Sequence, residues 1–185
     1  MEQINRGIEA LNRADALVGI PESNGPRKQG EISNAELLFI FTNGSPLRGQ
    51  PPRPVIEAAI EASPTDRLIA KELGAASTSA LDGDNAGMIE HLDRAGTIGE
   101  SASKRWFTDP RNGWAPNAPS TIRAKGSETP GIDTGQMRRA ITHVVETGQG
   151  AYAGNAVDFA PDTEIAFGAR AEEATAELAE VAEAV

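Results

Sequence analysis

The sequence predicts an α+β fold: a small antiparallel β-sheet packed against a long αα-hairpin, with extended loops and an acidic C-terminal helix or tail. Apolar residues recur at helical spacing in two neighbouring stretches, 64–81 and 84–107, which only an Asp-Gly turn separates. Runs rich in β-formers lie before and after this pair and predict strands near 15–21, 141–147 and 151–168.

The composition changes near the end of the chain, where a run of Ala and Glu begins. We therefore expect one domain over residues 1–168 and an acidic helix or tail over residues 169–185. Leu178 and Val181 belong to a thin apolar stripe in that last segment, too thin for a self-sufficient helix. A frayed tail and a partner-binding helix both remain open.

Local patterns predict the elements before the hairpin. Ile4, Ile8 and Leu11 are spaced four and three residues apart, which predicts an amphipathic first helix over residues 2–14. The first strand follows it and ends at a proline. Residues 22–30 are polar and contain Gly and Pro, so we expect an exposed loop there.

A capping pattern predicts the next helix. Ser33 precedes an apolar run and Glu36 follows three residues later, which together predict a capping box. The continuous apolar run at 35–41 favours a short buried helix, with a strand as the alternative. Residues 45–54 hold four prolines and predict a stiff loop, and residues 55–62 fit either a helix or a bent extended piece.

The hairpin helices have predicted caps of their own. Ser63 is the expected N-cap of the first helix, because Pro64 would occupy the first helical position. We expect this helix to run to about Leu81. Asp84 is the expected N-cap of the second helix, which should continue to about Phe107.

The stretch that starts at Trp114 alternates loops and short helices. Prolines surround Trp114 and hold the chain extended. Ser120 precedes a short helical turn that should end at Gly126. Asp133 and Gln136 have the spacing of a capping box, which predicts a short helix from about residue 134.

The net charge of −10 is unevenly distributed. Residues 101–142 hold seven basic side chains against three acidic ones, or +4, so the remainder of the chain holds −14. A basic segment in an acidic protein suggests complementary surfaces that meet between copies or partners, although ordinary solvated side chains give the same count. The basic residues are Lys104, Arg105, Arg111, Arg123, Lys125, Arg138 and Arg139; the acidic ones are Asp109, Glu128 and Asp133.

Two long motifs carry a resemblance to a known family. Residues 114–127 read Trp-x-Pro-Asn-x-Pro-Ser-Thr-Ile-x-x-Lys-Gly-Ser, and residues 130–142 read Pro-x-Ile-Asp-Thr-Gly-Gln-Met-Arg-Arg-Ala-Ile-Thr. This pattern resembles the neck or tail-completion proteins of tailed bacteriophages, which join the tail tube to the head connector. Residues 32–55 look like an upstream segment of the same family, and the resemblance covers about residues 18–145.

The resemblance implies a structural virion protein without catalysis. Such a protein is made in the bacterial host cytoplasm and forms a ring, most simply a hexamer, at the neck of the particle. Its expected partners are copies of itself, the connector or head-closure protein, and the tail tube or tail terminator protein. Genomic DNA would pass through the ring without specific binding. The interface residues expected from this hypothesis are Trp114, Arg123, Lys125, Arg138, Arg139, Leu178 and Val181.

Two other functions stay open on the sequence alone. Four of these cations, Arg123, Lys125, Arg138 and Arg139, form a strip that would suit a nucleic-acid-binding module, whose binding should depend steeply on salt. Asp133, Thr134 and Gly135 match the short signature of aspartic proteases, but that mechanism needs two carboxylates and a loop between apolar strands. A charged helix start follows this signature, so the capping role explains the same residues.

Other chemistry has little support in the residues. The chain has no cysteine, and His91 and His143 lack a neighbouring ligand at metal-binding spacing. No phosphate-binding loop or nucleophile elbow occurs, so we expect no cofactor and no metal. No apolar run approaches the length needed to span a membrane, and we expect no membrane interaction.

Overall fold

The computed structural model describes residues 1–21, 32–148, 150–151 and 165–166, and these residues form a mixed α+β fold as predicted. The described helices and strands are, in chain order, α1 (Glu2–Leu11), β1 (Ala14–Gly19), α2 (Asn34–Asn43), α3 (Ile56–Glu61), α4 (Thr65–Leu81), α5 (Asn85–Trp106), α6 (Pro119–Lys125), α7 (Gln136–Ala140), β2 (Thr142–Thr147), β3 (Gly150–Ala151) and β4 (Ile165–Ala166). Short 3-10 turns lie at Pro46–Arg48 and Pro110–Asn112.

The sheet has the strand order β3-β2-β1-β4, and every neighbouring pair is antiparallel. β1 pairs with β2 along its whole length, from Ala14 opposite Thr147 to Gly19 opposite Thr142. β1 is buried at nearly every position, because α5 packs on the sheet. The prediction of an antiparallel sheet is therefore confirmed. Most of the third predicted strand region, 151–168, lies outside the described residues.

Helices α4 and α5 form the predicted hairpin and pack along each other. Each helix buries one apolar stripe, as the helical spacing in the sequence indicates. The central core contains Ile69, Ala76 and Ala80 from α4, and Met88, Leu92 and Ala95 from α5. No helix in the described part of the chain is both long and apolar enough to cross a membrane.

Two of the predicted caps are confirmed. The Ser33 hydroxyl accepts a hydrogen bond from the Glu36 N–H at 3.1 Å, and the Glu36 carboxylate accepts one from the Ser33 N–H at 2.7 Å. This reciprocal pair fixes the start of α2 and decides in favour of helix over strand there. At the start of α5, the Asp84 carboxylate accepts a hydrogen bond from the Gly87 N–H at 2.9 Å.

The predicted cap at Ser63 is wrong. Helix α4 begins one residue later than expected, with Pro64 at the cap position and no side-chain cap bond. The Ser63 hydroxyl instead accepts a hydrogen bond from the Arg67 guanidinium at 2.6 Å. The Ser63 hydroxyl, which the sequence pattern assigned to the helix backbone, is therefore bonded to the side chain of Arg67.

The predicted capping box of Asp133 and Gln136 is also wrong. Helix α7 begins at Gln136 itself, and Gly135 occupies the cap position with a φ of +73°. This positive φ favours glycine and delays the helix start by about two residues. The Gln136 N–H faces the Thr134 hydroxyl at 3.3 Å, and Asp133 lies exposed upstream.

Two smaller expectations need correction. Ile4 and Ile8 of α1 are exposed, whereas Leu11 packs against the core as predicted, and Gly7 is buried on the inward side of this helix. A Cβ at Gly7 would lie 2.5 Å from the Ala80 carbonyl oxygen, so glycine allows α1 to approach α4 closely. Helix α6 has no side-chain cap at its start. Its predicted end at Gly126 is confirmed, with a φ of +68°.

Candidate functional site

The motif-bearing residues form a surface segment, residues 108–135, which connects α5 to α7. It contains one 3-10 turn, helix α6 and the loops between them. None of its residues is fully buried. Its position on the body of the protein is therefore set by a few specific contacts.

An aromatic cluster ties this segment to the core. Trp114 lies edge-on to Phe41 and Phe107, with ring centroids 5.2 Å and 5.7 Å away. Its indole N–H donates to the Pro54 carbonyl at 3.2 Å. Gly131 lies against the same cluster, because a Cβ there would come within 2.8 Å of both phenylalanine rings. Trp114 thus packs at the edge of this chain's own core.

Arg53 is the buried charge of this region, and the sequence predictions did not include it. It lies among prolines before α3 and is only 6% exposed. Its guanidinium donates to the Ala115 carbonyl at 2.9 Å and lies 5.5 Å from the Phe41 ring centroid. Burial lowers the pKa of Arg53, and its Nε has no hydrogen-bond partner among the described residues. No local pattern distinguishes such an arginine from a solvated one.

Lys125 holds the second half of the surface segment together. Its ammonium donates to the Thr129 carbonyl at 2.6 Å and to the Ile132 carbonyl at 3.0 Å. Burial is the main cause of the lowered pKa of Lys125; the nearby charge of Asp133 opposes this shift and that of Arg53 adds to it. Lys125 was predicted as an interface residue. In this chain its two hydrogen bonds hold the loop that follows α6 in place.

A groove of about 680 Å³ lies between α2, the proline-rich loop and the surface segment. Three cations contribute to its lining, namely Arg48, Arg53 and Lys125, and Asp133 contributes a carboxylate. Apolar side chains complete it: Leu37, Phe41, Ile132 and Met137. The groove therefore combines apolar walls with a local excess of positive charge.

The other predicted cations do not form one continuous patch. The Arg111 guanidinium donates to the Asp109 carboxylate at 3.0, 3.2 and 2.6 Å, and the Arg111 backbone N–H donates to it at 2.9 Å; together these bonds lower the pKa of Asp109 to about 2. Lys104 donates to Glu100 at 2.6 Å. These two positive charges are locally compensated.

The remaining arginines differ in their contacts. Arg139 donates to the Thr134 carbonyl at 3.0 Å and so supports the start of α7. Arg123 is exposed and Arg138 is half-buried, and neither makes a hydrogen bond or ion pair with any residue that the structure describes. Arg123 and Arg138 are therefore the members of the predicted strip that are available to a partner. Leu178 and Val181 lie outside the described residues.

The histidines have carboxylate partners that sequence spacing did not reveal. His143 of β2 lies 2.6 Å from the Glu100 carboxylate and 3.3 Å from that of Asp93, both on α5. Gly96 makes room for this ring, since a Cβ there would lie 2.6 Å from it. His91 pairs with Glu72 at 2.8 Å. Within the described ranges, no group of three His, Asp or Glu residues is arranged to hold a metal ion.

The Asp-Thr-Gly signature lies in an exposed bend before α7. Asp133 and Thr134 are both exposed, and the described chain around them contains no strand until β2. An aspartic protease needs this loop between apolar strands, with two carboxylates close enough to share a proton. The arrangement in this chain does not provide that setting.

Comparison with protein-family models, with curated proteins and with solved structures found no significant match.

Proposed function

We propose that this protein is a structural component of a tailed-phage virion, which forms a ring that joins the tail tube to the head connector. The observation that carries this proposal is the long composite motif at 114–127 and 130–142. Six copies are the expected number, and DNA passes through the ring without specific binding. The protein carries out no catalysis in this role.

The exposed arginines support a contact between copies. A ring closes by heterologous contacts, in which one patch of a subunit meets a different patch on the next. Arg123 and Arg138 are unpaired within the described chain, whereas the chain outside residues 101–142 carries a large negative excess. Opposite charges on the two patches would fix the register of such a contact.

The contacts of the surface segment make it suitable as an interface element. Trp114 and Gly131 fix it against the aromatic cluster, and Lys125 fixes the loop after α6. A surface that is ordered before assembly loses less conformational entropy when it binds. The connector or head-closure protein and the tail tube or tail terminator protein are the proposed partners above and below the ring.

Reversing the two unpaired arginines tests the proposal. We expect the wild-type chain to form discrete rings in light scattering across a concentration series at two salt levels. Arg123→Glu combined with Arg138→Glu should leave a folded monomer, because the charge complementarity is reversed. A control double reversal on the exposed side of α4, Arg67→Glu with Lys71→Glu, removes the Arg67 hydrogen bond to Ser63 but should leave the rings intact.

Three outcomes would count against the proposal. Rings of unchanged mass from the Arg123 and Arg138 variant would remove these residues from the interface. A stable two-fold dimer of the wild-type chain would contradict a closed ring. Steeply salt-dependent binding to duplex DNA that is lost in the same variant would favour the competing nucleic-acid-binding function.

A further inference from the structure

The groove between α2 and the surface segment carries an excess of positive charge, because three cations line it and Asp133 supplies the one carboxylate among its lining residues. Neither Arg53 nor Lys125 has a carboxylate within ion-pair distance among the residues that the structure describes. Their hydrogen bonds go to the backbone carbonyls of Ala115, Thr129 and Ile132. A buried charge is costly unless a counter-charge accompanies it, so this groove is prepared for an anionic group.

The apolar walls of the groove place a second requirement on the ligand that it would bind. Phe41 and Met137 are buried core residues whose surfaces contribute to it, and Leu37 and Ile132 are partly buried beside them. A small inorganic anion would satisfy the cations and leave this apolar surface wet. A peptide in which glutamates neighbour aliphatic side chains would satisfy both the charges and the apolar walls.

The chain itself contains such a peptide. Residues 169–185 contain five glutamates, and two of them directly precede an aliphatic residue of the thin stripe: Glu177 before Leu178, and Glu180 before Val181. Glu177 follows Ala166 of β4 by eleven positions, enough for a reach of up to about 36 Å. The radius of gyration of a domain of this size is about 15 Å, so this reach is comparable with the full width of the domain.

We infer that the groove lined by Arg53 and Lys125 binds the Glu-rich segment 169–185 of the same chain. The carboxylates of Glu177 and Glu180 pair with the groove cations, and Leu178 and Val181 lie on the apolar walls. The chain's own segment is the favoured occupant because tethering gives it an effective concentration of about 1 mM, far above that of a second copy in dilute solution. The inference does not depend on ring formation.

Disulfide trapping in the full chain tests this inference, since the natural sequence contains no cysteine. Thr121→Cys places a thiol on the exposed edge of the groove, and Leu178→Cys places the second on the segment. In dilute protein under mild oxidation we expect an intramolecular disulfide. The control pair combines Leu178→Cys with Ala70→Cys, at an exposed position of α4. We expect the groove pair to close at least about 10-fold faster than the control pair, which corresponds to about 1.4 kcal/mol of preference.

A charge variant separates docking from chance collisions. Glu177→Gln with Glu180→Gln removes the proposed anions, so it should bring the rate of the groove pair down to that of the control pair. Equal rates for the two pairs in the unaltered background would overturn the inference. Disulfides that form only between chains would also overturn it. Because dilute protein suffices, a failure of ring assembly leaves this test unaffected.

Discussion

The body of the protein and its surface segment are held in place by different means. The body, formed by α4, α5, β1 and β2, buries a continuous apolar core that every one of these elements shares. The surface segment has no fully buried residue over 108–135. Individual contacts fix it instead. The chief ones are the packing of Trp114 on Phe41, the close approach of Gly131 to the same ring, and the hydrogen bond from the Lys125 ammonium to the Thr129 carbonyl. Many shared apolar contacts therefore hold the body together, whereas a few individual contacts hold the segment in place.

This difference predicts how each region responds to substitution. In the body, apolar burial is spread over many side chains, and each contributes a part of the free energy of unfolding. In the segment, one residue can control the path of a whole loop. Substitutions at those few contacts should therefore have effects out of proportion to their size, whereas neighbouring positions in the segment should tolerate change.

Gly131→Ala should have the largest effect on stability. Gly131 has a φ of +71°, a conformation that costs a non-glycine residue about 1–2 kcal/mol. The new methyl group would also overlap Phe41 and Phe107, and overpacking of this kind costs a further ~1–3 kcal/mol. We expect the free energy of unfolding, measured by urea denaturation, to fall by roughly 2–5 kcal/mol in total.

Gly126→Ala is the matched control for that substitution. Gly126 has a similar φ of +68°, but a Cβ there meets no atom within 4 Å. Only the backbone term applies, so the expected loss is about 1–2 kcal/mol. The difference between the two variants measures how strongly the segment is packed on the aromatic cluster. If both variants lose the same stability, the cluster does not hold the segment in place.

The two aspartates that the sequence assigns to helix caps provide a smaller test. Asp84 caps α5 of the body, and Asp84→Ala should lower the free energy of unfolding by about 1 kcal/mol. Asp133 lies exposed in the segment and caps no helix, so Asp133→Ala should change stability by less than about 0.5 kcal/mol. Urea midpoints of the two variants measure the contrast. A loss at Asp133 equal to that at Asp84 would show that Asp133 does support α7.

The body could be predicted from the sequence because its signals are long and repeated. The apolar stripes of α4 and α5 extend over several turns, so one misleading residue does not hide the pattern. Asp84 was assigned correctly as the cap of α5, whereas the cap assigned to Ser63 failed because Pro64 occupies the cap position of α4. The prediction of an antiparallel sheet succeeded for β1 and β2, since both are continuous β-rich runs.

The segment and its site were predicted less well because tertiary contacts decide them. The start of α7 depends on the positive φ of Gly135, which overrides the capping pattern of Asp133. Arg53 differs from a solvated arginine only through its burial and its bond to Ala115, 62 residues away. His143 likewise meets Glu100 across 43 residues. Spacing rules that work within one element do not reach such pairs.

The smallest effect that we predict on stability comes from the contact between His143 and Glu100 in the body. This contact should make the free energy of unfolding depend on pH. Burial acts to raise the pKa of Glu100, but hydrogen bonds and charges from Lys104 and His143 outweigh it and hold the pKa below its ordinary value of 4.5. A carboxyl whose pKa is lowered on folding stabilises the native state above that ordinary value. This stabilisation disappears as the pH falls through the pKa of the folded state.

The wild-type chain should therefore lose stability more steeply than Glu100→Gln as the pH falls below about 4.5. Urea midpoints measured between about pH 7 and about pH 3 would show the difference in slope. Glu57→Gln is the control, because Glu57 is exposed on α3 and has no hydrogen-bond partner among the described residues. Identical slopes for wild type and Glu100→Gln would mean that the carboxyl is no more acidic in the folded state than in the unfolded one. The hydrogen bonds from Lys104 and His143 would then only balance the cost of burying the charge of Glu100.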